Sequence, residues 1–207
     1  MQETNKKIKD GMTCVGRVVK RSFDFIGALV GLILTSPAIL VIYILQKTES
    51  RGSVFFKQER VGKGGKPFFI YKFRTMKIDA EEDGPQLAAE NDKRLTCVGK
   101  VLRAHHLDEL PQLWNVLKGE MSFVGYRPER QFFIDMICEK RPDYIELYQC
   151  QPGVTSRATL YNGYTDTIEK MITRLDMDLD YIRSRSVWMD IKIIVETLWS
   201  VIAGKKF

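Results

Sequence analysis

The run FIGALVGLILTSPAILVIYIL, from Phe25 to Leu45, carries no charge and is the longest apolar stretch in the chain. About 20 apolar residues cross the hydrocarbon of a bilayer as a helix, and this run reaches that length. Ser36-Pro37 stands at its middle. Proline cannot donate a backbone N–H, and its ring crowds the carbonyl of Ile33. The pattern therefore predicts a helix that kinks or breaks at Ser36-Pro37 and resumes. The Ser36 hydroxyl can turn back to a freed carbonyl, which makes the interruption tolerable in lipid.

The flanks bear on which way the run sits. Lys6, Lys7, Lys9, Arg17, Lys20 and Arg21 precede it; Lys47, Arg51, Lys57, Arg60, Lys63, Lys66, Lys72 and Arg74 follow it. Lys/Arg-rich flanks stay on the cytoplasmic side of a membrane. One crossing would export one of them, whereas a re-entrant hairpin keeps both inside. The expectation is a monotopic protein with both ends cytoplasmic; a plain transmembrane helix is the competing reading. The run is too long for the core of a signal peptide and no A-x-A-like site closes it, so it is expected to be retained.

Beyond the run the pattern alternates between short strands and helices. Val54 to Phe56 and Phe68 to Phe73 are rich in aromatic and β-forming residues, with Gly62, Gly64 and Gly65 between them, and predict a hairpin. The glycines lack the phosphate-loop pattern G-x-x-x-x-G-K-[ST], so a turn is their plainer role. A polar surface segment follows over 79–94. A short helix is expected to end near His106, and a second to run from Pro111 to Gly119. RPER opens another, to about Lys140. Turn, strand and loop fill 151–166, then a helix runs from Thr167 to about Arg185. The last segment, from Val187, has an apolar face with Trp188 and Trp199 and ends in lysines; it reads as an interfacial helix or as a core helix. The fold class is α/β, mainly helical with a small β-hairpin. The expected division is a basic N-terminus with a membrane helix over 1–52, and a cytosolic-face catalytic domain with interfacial helices over 53–207.

Composition narrows the partners. The 207 residues suffice for one domain with a sizeable core. The mean hydropathy of -0.19 means that the apolar run is a local feature. The net charge of +6, much of it beside that run, suits anionic lipid headgroups or phosphorylated ligands. No nucleic-acid motif appears, so nucleic acid is not an expected partner. Cys14, Cys97, Cys138 and Cys150 make no CxxC pair and no zinc spacing, and read as reduced thiols.

The candidate chemistry centres on Asp108-Glu109, just before Pro111. Carboxylates at a helix start can simply cap it. They can also share that place with a phosphate if a divalent cation relieves the repulsion, and Mg²⁺ suits carboxylate and phosphate oxygens. Adjacent side chains point apart, so one acid could attack while the other holds metal. Lys72 and Arg74 in YKFRTM, Arg103 in VLRAHH and Arg127 in GYRPER are candidate phosphate ligands. His105 and His106 flank the acids but have no Ser or Cys nucleophile to partner. Asp176, Asp178, Asp180 and Asp190 read mostly as solvent-facing, with a buried one able to assist metal or substrate.

YKFRTM, LDELPQLWNVLKGEMSFVG-RPE and QPGVTS together resemble the bacterial sugar transferase family, the small monotopic phosphoglycosyl transferases that begin bacterial glycoconjugate assembly. The resemblance runs from about Lys20 to the C-terminus. It implies transfer of a sugar-1-phosphate from a UDP-sugar to a polyprenyl phosphate, usually undecaprenyl phosphate, with release of UMP. It implies a re-entrant helix broken at Ser36-Pro37, and an Asp108-Glu109 dyad with Mg²⁺ in which Asp108 is the nucleophile. It implies substrate-binding roles for Lys72, Arg103, Arg127 and Pro128, and less directly for Asp178 and Asp190. The location it implies is the bacterial inner membrane, with membrane lipids as partners and the active site on the cytoplasmic face; a homo-oligomer is left open. The family's Pro-Arg-Pro is Tyr126-Arg127-Pro128 here, and its glycine after PGVT is Ser156, departures that bear on the sugar and not on the reaction. A second function class stays open: a membrane-anchored scaffold that binds anionic lipid and has no catalysis.

Overall fold

The computed structural model describes residues 8–49, 51–78, 80, 92–163, 165 and 167–203. Most of the polar segment predicted over 79–94, as well as Lys6, Lys7 and the C-terminal lysines, lies outside them.

The first helix, α1, spans Cys14–Glu49, with Pro37 in its interior and helical backbone on both sides of Ser36-Pro37. The reason is local. Pro37 leaves the Ile33 carbonyl without its usual donor, and Ser36 Oγ donates to that carbonyl at 2.8 Å. Thr35 Oγ1 donates to Gly31 O at 2.7 Å in the same turn. The rest of the support is tertiary. Lys20, Asp24, Ala28, Ile42 and Gln46 are buried, and they recur at helical spacing on one face. Gly27 lies against the Phe123 ring and Gly31 against Leu113, so the helix approaches the body closely there. The other faces expose Ile26, Ile33, Leu34, Leu40 and Ile44.

The predicted hairpin is present. β1 (Phe55–Val61) and β2 (Pro67–Phe73) pair antiparallel, with Phe55 opposite Phe73 and Val61 opposite Pro67. α2 spans Cys97–Ala104, α3 Gln112–Lys118 and α4 Gln131–Lys140. Pro111 is the N-cap of α3, and Gly119 closes it at φ 84, a conformation open to glycine. Between α3 and α4 lies β3 (Ser122–Val124), which pairs in parallel with β4 (Gly153–Thr155). The last three helices are α5 (Arg157–Asn162), α6 (Ile168–Ser184) and α7 (Val187–Ile202). Ser156, Thr167 and Ser186 each accept a backbone N–H three residues on, which starts these helices where they start. α5 lies where a loop was expected.

The main core joins α4, α6 and the 3-10 segment Pro142–Gln149, through Ile134, Ile137, Leu147, Leu175, Leu179 and Ile182. Two smaller cores lie under α1. Ala28 meets Ile70, Val116 and Met121, while Ile42 meets Val54, Phe73 and Leu102. Both halves of α1 are therefore packed on the body that carries the hairpin.

Candidate active site

The chain leaves α2 through His106, a non-glycine residue at φ 54. It then makes a 3-10 turn over Leu107–Glu109 before α3 begins. The N-cap position of α3 is Pro111, so neither Asp108 nor Glu109 occupies it. The turn sends the two acids to different surroundings, as adjacent residues must.

Asp108 is buried. Burial raises its pKa to about 6; Lys72 and Arg103 pull against this and Glu109 adds to it. Glu109 Oε1 lies 2.5 Å from Lys72 Nζ. Burial works against its charge, but Lys72 and Arg127 outweigh burial and hold it at about 2. Two neighbouring carboxylates are thus pushed apart by their environments, one firmly ionised and one a stronger base.

Three elements deliver the cations. Lys72 comes from β2, and Arg103 from the last turn of α2, where its buried Nη1 has no hydrogen-bond partner among the described residues. Arg127 comes from the connection between β3 and α4, close enough to act on both Glu109 and His106. His106 is held below its ordinary pKa, first by burial and then by the cations Lys72 and Arg127.

The other expected residues sit elsewhere. Arg74 Nη1 donates to Arg51 O at 2.9 Å, in the connection between α1 and β1. Pro128 O accepts from Arg60 Nη1 at 3.2 Å. Asp178 is buried on α6 and accepts the backbone N–H of Arg127. Burial raises its pKa to about 7. Asp190, on α7, is also buried, one of two buried acids in a set expected to be mostly solvent-facing, and is paired with Lys20 at 2.6 Å. Sequence reasoning passed over Glu129 and Arg174, which pair at 2.9 Å inside the body, and over Lys20 and Asp24 on α1. A faint signal existed for the last two: charged residues one turn apart beside an apolar helix need partners when that helix packs.

No group of three or more His, Cys, Asp or Glu side chains able to hold a metal ion occurs among the described residues. Mg²⁺ does not require one, since it takes one or two carboxylates together with substrate phosphates and water. Asp108 and Glu109 fit that donor set.

Three cations thus surround two unlike carboxylates, on a body that carries one helix long and apolar enough to cross a membrane. The comparisons agree in kind. The chain belongs to the bacterial sugar transferase family, whose model matches residues 15–204. It is 40% identical over 186 residues to the UDP-N-acetylgalactosamine-undecaprenyl-phosphate N-acetylgalactosaminephosphotransferase of Aeromonas hydrophila, covering 90% of this chain and 44% of the relative. It is 42% identical over 187 residues to the UDP-glucose:undecaprenyl-phosphate glucose-1-phosphate transferase of Caulobacter vibrioides, covering 88% and 69%. An exopolysaccharide production protein of Rhizobium leguminosarum bv. phaseoli is 37% identical over 201 residues, covering 92% and 98%. The chain spans less than half the length of several of the curated relatives it matches, the Aeromonas protein among them.

Proposed function

We propose that this protein transfers a sugar-1-phosphate from a UDP-sugar to undecaprenyl phosphate and releases UMP, through a covalent phospho-aspartyl intermediate on Asp108. The observation that carries the reading is the split dyad: a buried, more basic Asp108 beside an ionised Glu109, within the field of Lys72, Arg103 and Arg127. The named activities of the relatives support the substrate classes.

The chemistry follows from those groups. Above about pH 6 Asp108 is a carboxylate with little water around it. One of its oxygens attacks the β-phosphorus of the UDP-sugar. The bond from that phosphorus to the bridging oxygen breaks, and the electron pair leaves with UMP. Lys72, Arg103 and Arg127 offset the charge that builds on the phosphate oxygens. An oxygen of the lipid phosphate then attacks the same phosphorus, and the Asp108 carboxylate is regenerated as the polyprenyl diphosphate sugar forms. Asp108 and Glu109 would hold Mg²⁺, which when bound would supply further screening of the diphosphate charge.

The membrane placement belongs to the same reading. A helix that crossed the bilayer would carry its two ends to opposite sides of the hydrocarbon. Here residues near both ends of the apolar run, Asp24 and Gln46, bond to the same body, to Phe123 N and Arg74 O. That supports a monotopic protein, with α1 lying in one leaflet on the cytoplasmic face of the bacterial inner membrane. Trp188, Val195, Leu198 and Trp199 are exposed on α7 and suit the headgroup boundary. The product would enter capsule, O-antigen or exopolysaccharide assembly at its first membrane step.

The test is UMP release by the full chain in nanodiscs with Mg²⁺, undecaprenyl phosphate and a panel of UDP-sugars. Asp108→Asn should lower turnover by about 10³-fold or more. Full activity in that variant would remove the nucleophile assignment. Absence of both UMP release and UDP-sugar binding across the panel would favour the lipid-binding scaffold.

A further inference from the structure

Between Val124 and Glu129, Arg127 is the one residue that is not buried. Its neighbours in that run are fixed by groups from distant parts of the chain. Asp178, on α6, takes the backbone N–H of Arg127 itself. Arg60, on β1, donates through Nη1 to Pro128 O and to Glu129 Oε2, each at 3.2 Å. Arg174, on α6, donates through Nη1 to Glu129 Oε1 at 2.9 Å. The main chain closes the set, with Val61 N donating to Glu129 O at 3.2 Å.

We infer that Asp178, Glu129, Arg174 and Arg60 are positioning residues, which hold the backbone at Arg127 so that its guanidinium is presented to the Asp108-Glu109 site. The inference rests on the proposed function, because it takes that site to be where the donor phosphates react.

The energetics favour a geometric role. Glu129, Arg174 and Asp178 are each 8% exposed or less. Removing that many charges from water is expensive, and well-packed apolar residues would stabilise the same volume at least as well. What apolar residues could not do is fix a connecting segment that has no ladder of its own. This segment's N–H and C=O groups need buried partners with defined directions. The network supplies them at three consecutive residues. It also encloses a cavity of about 10 Å³, lined in part by Arg127, Glu129, Tyr144, Arg174 and Asp178. Asp178 Oδ1, Arg174 Nε and Tyr144 OH have no hydrogen-bond partner among the described residues, and the space suits one bridging water.

The test combines kinetics with amide exchange on the full chain in nanodiscs. The kinetic probe is whichever of UDP-glucose and UDP-N-acetylgalactosamine releases UMP. Asp178→Ala should raise KM for that donor about tenfold while kcat changes by less than about threefold. Asp178→Asn, which keeps an oxygen acceptor for the Arg127 N–H, should return KM to within about threefold of the parent. Combining Asp178→Ala with Arg127→Ala should do no more harm than Arg127→Ala alone, because both remove the same function. Additive losses, or an Asp178→Asn variant as impaired as Asp178→Ala, would overturn the inference. If neither donor is turned over by the parent, the proposed function is at fault, and exchange at the Arg127 amide decides this inference alone. That amide should exchange about tenfold faster in Asp178→Ala and not in Asp178→Asn; equal rates in both would refute it. If Asp178→Ala does not fold, Arg174→Met with Arg174→Lys as the conservative partner gives the same comparison, with the same reading of each result.

Discussion

Lys20 on α1 places its Nζ 2.6 Å from Asp190 Oδ2 on α7, joining the membrane helix to the last helix across 170 residues. The same ammonium lies 3.9 Å from Asp24, one turn along α1, and Asp24 Oδ1 accepts the Phe123 N–H at 3.1 Å. Tyr181 OH completes the group by donating to Asp190 Oδ1 at 2.6 Å. Next along α1, Arg21 donates to the carbonyls of Val116 and Leu117 at 2.7 and 2.8 Å, satisfying the C-terminus of α3. α3 starts three residues after Glu109. The contacts of α1 thus reach, through one short helix, to the dyad.

Lys20→Met would leave Asp24 and Asp190 buried beside each other without their cation. The expected loss is about 3–5 kcal/mol of stability, as for other broken buried pairs. Replacing Asp190 by Leu as well should return a large part of it, because no uncompensated charge then remains on α7. Thermal unfolding in detergent checks both variants; a double variant as unstable as Lys20→Met would show that the pair is not the source.

The membrane arrangement gives a labelling prediction. Cys14 is exposed at the start of α1, and Lys47 lies in its last turn. In a background without the other cysteines, Cys14 and a Lys47→Cys thiol should both react with an impermeant maleimide from the cytoplasmic side of sealed vesicles. Reaction from opposite sides would establish a crossing helix and remove the monotopic reading.

Much of this was legible from local chemistry. Pro111 and Gly119 bound α3, Thr167 starts α6, and the glycines between two aromatic runs make the hairpin, since each signal acts within a few residues. Asp108 and Glu109 stood out as adjacent acids before Pro111, a pattern that by itself also fits capping; their reading as a dyad comes from the family resemblance. What was hidden depends on distance in sequence. A strand was legible after Pro152, but β3 has three residues, too few to show a period, and its parallel pairing with β4 spans the whole of α4. α1 is continuous because Ile33 O gains a hydroxyl donor and because both halves are packed, and only the first of these can be read from Ser36. Asp178 and Asp190 looked like surface acids because their partners, the Arg127 amide and Lys20, are contributed by other elements. Ser156 did carry the cap signal for α5, and it was read as a departure from a motif instead.

Gly99 tests how Arg103 is delivered to the site. A Cβ at Gly99 would stand 2.1 Å from Thr75 O and 2.7 Å from Thr75 C, both backbone atoms that cannot swing aside. α2 would have to lift from the strand connection, and Arg103 with it. Gly99→Ala should therefore lower stability by about 1–3 kcal/mol, although alanine favours helices. UMP release should fall in the same variant. Unchanged melting together with unchanged activity would mean that α2 is not seated on Thr75.

The pH dependence of stability isolates Asp178. Its folded pKa is raised to about 7, first by burial, with the Arg174 charge and the Arg127 N–H opposing. An unfolded aspartate titrates near about 3.9. The folded chain therefore holds a proton on this group over a range where the unfolded chain has lost it. Its contribution to stability is fully present below about pH 4 and is lost as pH rises through about 7. Asp108, raised to about 6, acts with the same sign. Glu109, held at about 2, acts oppositely: its contribution is present above the unfolded value and is lost only as the solution becomes strongly acidic. Between about pH 4 and 7 stability from the two aspartates should thus decline with rising pH, Asp178 accounting for at most about 4 kcal/mol. Asp178→Asn cannot titrate. Its melting temperature should fall less steeply than the parent's across that window and should exceed the parent's at pH 7.5. Parallel curves for the two proteins would show that Asp178 is ionised in the folded state throughout, and would take away the protonated carboxyl on which the slope depends.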